Sequence, residues 1–280
     1  AFAGAAAAVA DAAAADGGDV PGSAVTAVAG CPAATGCTVV GCDVFPVLKL
    51  DATAPGAADA NIGCGGTVAK MVSQGASVII ADLTRGELGT RGSAELRDEE
   101  AANAANILGV EGRLNLGLKD GFFQCDEESL HAVIDVIRKY RPRIVLANAL
   151  HDRHPDHGKG AELVNQSCFL SGLVKIDTPD NPESYRPDAV YHYIQDYNRC
   201  PDVVIDTSDF VDIKMKAIMA FSSQFFDPSS EEPSTPISTP DFLDHVKGRD
   251  LAMGRPCGFA AGEGFEIMRP IGANSLLDLK

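Results

Sequence analysis

The sequence predicts an α/β protein built around a mostly parallel β-sheet. Two continuous apolar runs of strand length, SVIIADLT over 77–84 and RIVLANA over 143–149, have the pattern of strands that are buried on both faces. Segments with helical spacing, about 10–15 residues long, alternate with such runs. This alternation is typical of βαβ units, in which active sites lie beyond the carboxyl ends of the strands.

The elements follow one another regularly from about residue 62. Helices are predicted over 62–74, 94–108, 128–140, 159–174, 211–221 and 241–253. Strands are predicted over 77–84, 113–116, 143–149, 189–195 and 202–206. The helix over 94–108 is representative, because its alanines and Leu108 fall on one side and its charged residues cluster near its start.

Composition and charge limit the classes of function. The 280 residues suit one large domain or two small ones, and 45% hydrophobic with 22% charged residues is an ordinary globular composition. No stretch approaches the roughly 18 apolar residues of a membrane-spanning helix.

The net charge of −16 argues against nucleic acid and anionic membrane as partners, because both attract basic surfaces. The eight cysteines form no CxxC pair, which favours reduced thiols and a cytoplasmic location.

Residues 1–48 differ in composition from the rest of the chain. They contain 16 alanines and three cysteines, and the first basic residue is Lys49. This low complexity predicts a disordered extension, followed by one domain over 49–280. The segment lacks the basic start of a secretory signal and the arginines of a transit peptide. A processing signal and an artefact of the sequence remain the alternatives.

A polar cluster follows the second buried strand directly. Residues 151–157 contain three of the six histidines, two aspartates and an arginine. Imidazole and carboxylate are common zinc ligands, so one of His154 and His157 could bind a metal while the other acts as an acid or electrostatic stabiliser. Pro155 is expected to fix the loop between them. The alternative is a solvated polar loop, but three histidines at the end of a strand favour a functional site.

This cluster and several other segments resemble a known family. HDRHPDHGKG (151–160) closely resembles the second metal motif of the LmbE-like, or PIG-L-type, zinc-dependent de-N-acetylases. Other segments resemble its subgroup that deacetylates N-acetylglucosaminyl-malate in bacillithiol biosynthesis: GCGGTVAKMV (63–72), DLTRGELGTRGSAELRDEEAANAANILGV (82–110), NLGLKDGFF (115–123), YHYIQ (191–195), SSQFFDP (222–228) and EGF (263–265). The resemblance extends from about residue 61 to residue 280.

The resemblance implies a fold, a reaction and a cofactor. The family has a Rossmann-like α/β fold and hydrolyses the N-acetyl amide of a glucosamine conjugate, releasing acetate. It uses one divalent metal ion, usually zinc. A small-molecule sugar conjugate as substrate and a homo-oligomeric state are therefore implied for this chain.

The resemblance also assigns roles to the polar cluster. His157 matches the metal-binding histidine of the second motif, and His154 matches the histidine that stabilises the oxyanion, here expected to be protonated. Asp156 is a further catalytic candidate, because it could orient a neighbouring histidine.

Four other residues are candidates for substrate binding. Arg153 and Arg97 match positions at which the family has substrate-site arginines. Arg91, in the segment GTRG, and Asp120, after the next strand, are further candidates. A structural role in local ion pairs is the alternative for Arg97 and Asp120.

The first metal motif departs from the family pattern. Aligned backward from GCGG, Asp59 falls on the metal-binding aspartate, Ala58 falls on the general base, and the preceding His-Pro pair is absent. The segment ATAPGA (52–57) also lacks the β-branched residues of a central strand and contains Pro55. Two protein ligands remain where catalytic zinc normally takes three, so weak metal binding and little deacetylase activity are expected.

This departure leaves two choices open, one about function and one about the origin of the first residues. The chain is either an enzyme of the family or a catalytically inactive member that acts as a sugar-binding or assembly subunit. Its first 60 or so residues are either those of a degenerate paralogue or the product of a shifted reading frame, which the abrupt change in composition favours. A nicotinamide-dependent oxidoreductase is disfavoured, because GCGG does not match G-x-G-x-x-G.

Overall fold

The computed structural model of the chain describes residues 47–51, 58–180 and 182–278, with residues 47–51 described through their backbone alone. Seven strands lie in these ranges: β1 Val47–Asp51, β2 Val78–Thr84, β3 Gly112–Leu118, β4 Ile144–Ala147, β5 Ala189–Tyr193, β6 Val203–Asp206 and β7 Gly262–Glu266. The α-helices are α1 Asp59–Ser73, α2 Ala94–Leu108, α3 Glu127–Tyr140, α4 Pro155–Leu170, α5 Val211–Met219 and α6 Phe242–Gly254. The predictions for residues 1–46 and for ATAPGA lie outside the described residues.

The strands form one sheet in the order β3-β2-β1-β4-β5-β7-β6. The first five strands in this order pair in parallel, whereas β7 pairs antiparallel with both β5 and β6. The predicted α/β class is therefore confirmed, and the sheet is mixed at one side. The sequence did not reveal β7, because GEGFE contains two glycines and gains its strand conformation from pairing with distant segments.

Helices cover both faces of the sheet. On one face, alternate residues of β2 (Ile79, Ala81 and Leu83) pack in a cluster with residues of α3 and α4. On the other face, Val78 and Ile80 pack with residues of α1 and α5. Because the side chains of a strand alternate between its faces, burial of both faces explains the unbroken apolar run that predicted this strand.

Local signals set several helix boundaries. The Ser93 side chain accepts the backbone N–H of Leu96 and begins α2, which Gly109 ends with a φ of 72°. These are the boundaries that the sequence predicts. The helix predicted over 159–174 instead begins at Pro155, because proline suits the first helical position and the His154 side chain caps the helix. The polar cluster therefore occupies a helix start, and the expectation of a fixed loop at Pro155 was wrong.

The connections change direction between β1 and β4, which are neighbours at the centre of the sheet. The chain passes from β1 through α1 to β2 on one side, and from β4 through α4 to β5 on the other. Such a point leaves a crevice at the carboxyl ends of the two strands, where ligands bind in open α/β sheets. Within the described ranges, every helix falls short of the length and apolar character that crossing a bilayer requires.

Candidate active site

Asp59 and His157 meet at the crevice between β1 and β4. Asp59 is the first residue of α1, and His157 lies in the first turn of α4. The Nε2 atom of His157 lies 2.9 Å from Oδ2 of Asp59, and both side chains are buried. The structure thus brings together the two predicted metal ligands, which are 98 positions apart in the sequence.

A second carboxylate contacts the other side of the same imidazole. Oδ2 of Asp152 lies 2.7 Å from Nδ1 of His157, and Oδ1 of Asp152 accepts the backbone N–H of Tyr197 at 3.0 Å. Burial by itself would lower the pKa of His157, but the carboxylates of Asp59 and Asp152 outweigh it and raise this pKa to about 10. In the metal-free chain, the two carboxylates therefore favour the imidazolium form of His157 at neutral pH.

These residues meet part of the requirement for a metal site. Aspartate and histidine are suitable zinc ligands, and a carboxylate on the second ring nitrogen is the usual partner of a ligating histidine. Among the described residues, however, no group of three or more His, Cys, Asp or Glu side chains is placed to hold a metal ion. The described part of the chain thus offers two ligands and a supporting carboxylate.

His154 is held in a defined orientation beside this pair. Its Nδ1 accepts the backbone N–H of Asp156 at 3.3 Å, so the ring offers Nε2–H as its donor. Burial lowers the pKa of His154, and the positive charge of His157 lowers it further. Both effects favour the neutral imidazole over the protonated form that the resemblance implies, and the neutral ring retains a donor.

Asp156 does not orient a histidine through its carboxylate. Oδ2 of this buried residue accepts the backbone N–H of Gly121 at 2.7 Å, and Oδ1 lies 3.2 Å from Nζ of Lys159. Asp156 therefore ties α4 to the segment after β3, while Asp152 orients His157. Asp152 was not among the predicted site residues, since its only signal in the sequence is its place in the same polar cluster.

A cavity of about 190 Å³ lies next to the Asp59–His157 pair. Four of the predicted site residues line it: Arg91, Arg97, Arg153 and His154. Leu88, Thr235 and Ile237 are among the other lining residues. Three guanidinium groups and an imidazole donor suit a polar ligand with hydroxyl or carboxylate oxygens.

Protein partners already fix each of the three arginines. Nη1 of the buried Arg97 donates to the carbonyl of Gly86 at 2.6 Å, and Nη2 donates to the carbonyl of Arg91. Arg91 donates to Oγ of Ser230 at 2.8 Å, and Arg153 pairs with Asp196. The guanidinium groups are thus held before any ligand binds.

Asp120 lies behind the cavity wall. Its Oδ2 accepts the backbone N–H of Leu88 at 2.9 Å, and its own N–H donates to Glu87 at 2.8 Å. Burial raises the pKa of Asp120 to about 6, and the carboxylates of Glu87 and Asp156 add to this rise. The structure therefore places Asp120 where it holds the segment that carries Leu88, which itself lines the cavity.

Gln224 is a cavity residue that the sequence analysis missed. Its side chain is 2% exposed and lines the cavity, and neither amide atom has a hydrogen-bond partner among the described residues. A buried, unpartnered amide is costly unless a ligand or water satisfies it. The segment SSQFFDP, which contains Gln224, supported the family resemblance but gave no role to this residue.

Comparisons with known proteins point to a family of de-N-acetylases. Residues 52–168 match the family model of PIG-L, GlcNAc-PI de-N-acetylase. The diacetylchitobiose deacetylase of Thermococcus kodakarensis is 31% identical over 193 residues, which cover 65% of this chain and 71% of that protein.

Two solved structures share the fold. The conserved protein TT1542 of Thermus thermophilus has a TM-score of 0.72 and 31% identity, over 82% of this chain and 97% of that one. The N,N'-diacetylchitobiose deacetylase of Pyrococcus horikoshii has a TM-score of 0.68 and 26% identity, over 81% of this chain and 84% of that one. With this identity and coverage, the chain belongs to the PIG-L, or LmbE-like, family of de-N-acetylases.

Proposed function

We propose that the chain binds an N-acetylglucosamine conjugate in the 190 Å³ cavity and belongs, by reaction, to the metal-dependent amide hydrolases. The observation that carries this proposal is the convergence of the Asp59–His157 pair with His154 and the arginines at the carboxyl ends of β1 and β4. Two deacetylases of diacetylchitobiose among the similar proteins support an N-acetylated sugar as substrate.

The proposed reaction is hydrolysis of the acetamide. The oxygen of water bonds to the acetyl carbon, the carbon–nitrogen bond breaks, and the two protons of the water pass to the nitrogen, so that acetate and the ammonium form of the sugar leave. A zinc ion held by Asp59 and His157 would polarise the acetyl carbonyl and lower the pKa of water. Nε2–H of His154 would donate to the developing oxyanion, which a neutral imidazole can do. Asp152 would keep the imidazole of His157 in its orientation.

Within this class, we propose N-acetylglucosaminyl-malate, the bacillithiol precursor, as the substrate. Its two malate carboxylates suit bidentate contact with guanidinium groups such as Arg91 and Arg153. The acidic chain would act in the cytoplasm, where such precursors are made, and the family resemblance adds a homo-oligomeric state.

Turnover is expected to be slow. Ala58, which is buried at the start of α1, occupies the position of the general base and has no group that can accept a proton. Loss of a general base typically costs about 10²–10⁴ in rate. A second candidate function, sugar binding without catalysis, is favoured by this alanine and by the direct contact between Asp59 and His157.

The experiment compares binding with turnover. The purified chain is loaded with zinc and dialysed, and its zinc content is measured together with acetate release from N-acetylglucosaminyl-malate and diacetylchitobiose. Calorimetry with both sugars gives the binding affinity. Zinc retention together with slow acetate release supports a deacetylase. Sugar binding without zinc retention and without acetate release supports a non-catalytic sugar-binding subunit. Absence of sugar binding would overturn both candidates.

A further inference from the structure

Gln195 contacts the proposed metal ligand Asp59 directly. Its Nε2 donates to Oδ1 of Asp59 at 2.6 Å, while the other carboxylate oxygen, Oδ2, faces His157. One contact at each oxygen fixes the rotation of the carboxylate. Gln195 lies two residues beyond the end of β5, the strand next to β4 in the sheet.

The amide oxygen of Gln195, in contrast, faces no donor among the described residues. Oε1 is buried and has no hydrogen-bond partner among the described residues. Gln195 lines a small cavity of about 20 Å³, together with Asp59, His157 and Arg153. A cavity of this volume, lined in part by polar side chains, can hold one water molecule. An unpartnered carbonyl oxygen on such a wall is suited to accept a hydrogen bond from that water.

Arg249 holds the backbone of Gln195 against α1. Its Nη1 donates to the carbonyl of Gln195, and its Nη2 donates to the carbonyl of Ile62 at 2.6 Å. Ile62 lies in the same helical turn as Asp59. A single guanidinium group therefore fixes the two backbone segments that carry Gln195 and Asp59 relative to each other.

A buried ionic network supports this arginine. Asp250 lies 3.3 Å from Arg249 and 2.5 Å from Nζ of Lys214, which in turn lies 2.7 Å from Glu263. Glu263 accepts the backbone N–H groups of Gly66 at 2.9 Å and Thr67 at 2.6 Å. Gly66 and Thr67 follow Cys64 closely, and Cys64 is the non-helical residue that interrupts α1.

The charges in this network alternate in sign, and each side chain is at most 7% exposed. Replacing buried ion pairs with apolar residues is often neutral or stabilising, so stability alone does not account for the network. Its geometrical consequence is a rigid placement of both halves of α1, and with it of Asp59.

We propose that Gln195 is a positioning residue of this site, whose amide orients Asp59 through Nε2 and holds a water molecule through Oε1, with Arg249 as its anchor. The inference rests on the proposed function for its relevance to hydrolysis. Its geometrical content concerns Gln195 and Asp59 alone and can be tested without metal or substrate.

The test uses Gln195→Met, which keeps the length of the side chain and removes both amide contacts. Gln166→Met is the matched control, because Gln166 is exposed on α4 and its amide donates a hydrogen bond to Glu162, away from the site. Crystal structures of the metal-free full chain should show Asp59 rotated and the small cavity dry in Gln195→Met, and both unchanged in the control. An unmoved Asp59 beside an ordered water in Gln195→Met would overturn the proposal.

Zinc affinity and thermal unfolding separate positioning from a structural role. Gln195→Met should weaken zinc binding about 10–100-fold, as loss of a supporting contact does. Its melting temperature should fall only by the loss of one hydrogen bond to the buried carboxylate of Asp59. An equal loss in the control contradicts the proposal. If the wild type binds no zinc, the metal-dependent function fails, whereas the crystal structures still decide the role of Gln195. If Gln195→Met does not fold, Arg249→Lys takes its place, with the same rotation of Asp59 expected.

Discussion

Nε2 of His157 lies 2.9 Å from Oδ2 of Asp59, so the two proposed metal ligands form a direct ion pair in the absence of metal. Asp152 completes the arrangement at 2.7 Å from Nδ1. The pair has consequences for stability that can be measured in the metal-free protein.

The first prediction concerns alkaline pH. Because the folded-state pKa of His157 is raised from 6.5 to about 10, its contribution to stability is fully present below pH 6.5 and is lost as the pH rises through about 10. Urea unfolding in the presence of a chelator should show this loss. His157→Gln should lack it and should be less stable at pH 7 by about 3–5 kcal/mol, because two buried carboxylates lose their cation. Parallel pH profiles for the two proteins would contradict this account.

The second prediction concerns the missing base. Ala58→Asp should raise acetate release, by up to about 10²–10⁴-fold if the carboxylate takes the role of the base. Combination with Gly56→His, at the aligned position of the missing family histidine, should raise zinc affinity as well. Ala58→Asn is the control, since its amide has a similar shape but cannot take a proton. Equal rates for Ala58→Asp and Ala58→Asn would exclude a base at this position.

The third prediction concerns sugar binding. Gln224→Met should weaken binding of diacetylchitobiose about 10–100-fold in calorimetry, because a ligand can no longer satisfy the buried amide. Its melting temperature should be unchanged or higher, since an unpartnered polar group leaves the interior. Gln166→Met again serves as the control. Unchanged sugar affinity in Gln224→Met would show that the ligand binds elsewhere.

The fourth prediction concerns mildly acidic pH. The folded-state pKa of Asp120 is raised from 3.8 to about 6, so its contribution to stability is present below pH 3.8 and is lost as the pH rises through about 6. The loss amounts to at most about 3 kcal/mol. Asp120→Asn keeps an acceptor for the N–H of Leu88 and should remove this dependence, which makes the variant more stable than the wild type at pH 7. The free energy of unfolding of the wild type, relative to that of the variant, should therefore be lower at pH 7 than at pH 4. An equal or higher relative value at pH 7 would contradict this assignment.

The fifth prediction concerns the coding sequence. If a shifted reading frame produces the composition of residues 1–48, the gene should encode His-Pro-Asp-Asp in another frame just upstream of the codons for Gly63-Cys64-Gly65-Gly66. Resequencing across the codons for residues 1–62 measures this directly. A confirmed frame without that motif supports a degenerate paralogue and the non-catalytic function.

Much of the fold could be predicted from local patterns. The helix Ala94–Leu108 has the predicted boundaries, because Ser93 and Gly109 are strong terminal signals. The strand β2 was predicted because burial on both faces leaves an unbroken apolar run. In contrast, β7 carries no such pattern and forms through antiparallel pairing with β5 and β6.

The sequence by itself determined the family, the α/β class and the kinds of side chains at the site. These are Asp59, which remains from the broken first motif, and the histidines and arginines that suit an acetylated sugar. Only the tertiary structure decided how these groups act on one another. Asp152 orients His157, burial lowers the pKa of His154, and Gln195 and Gln224 carry buried amide atoms without partners among the described residues. The physical reason is that protonation and hydrogen bonding depend on burial and on charges brought together from distant positions, which spacing along the chain does not encode.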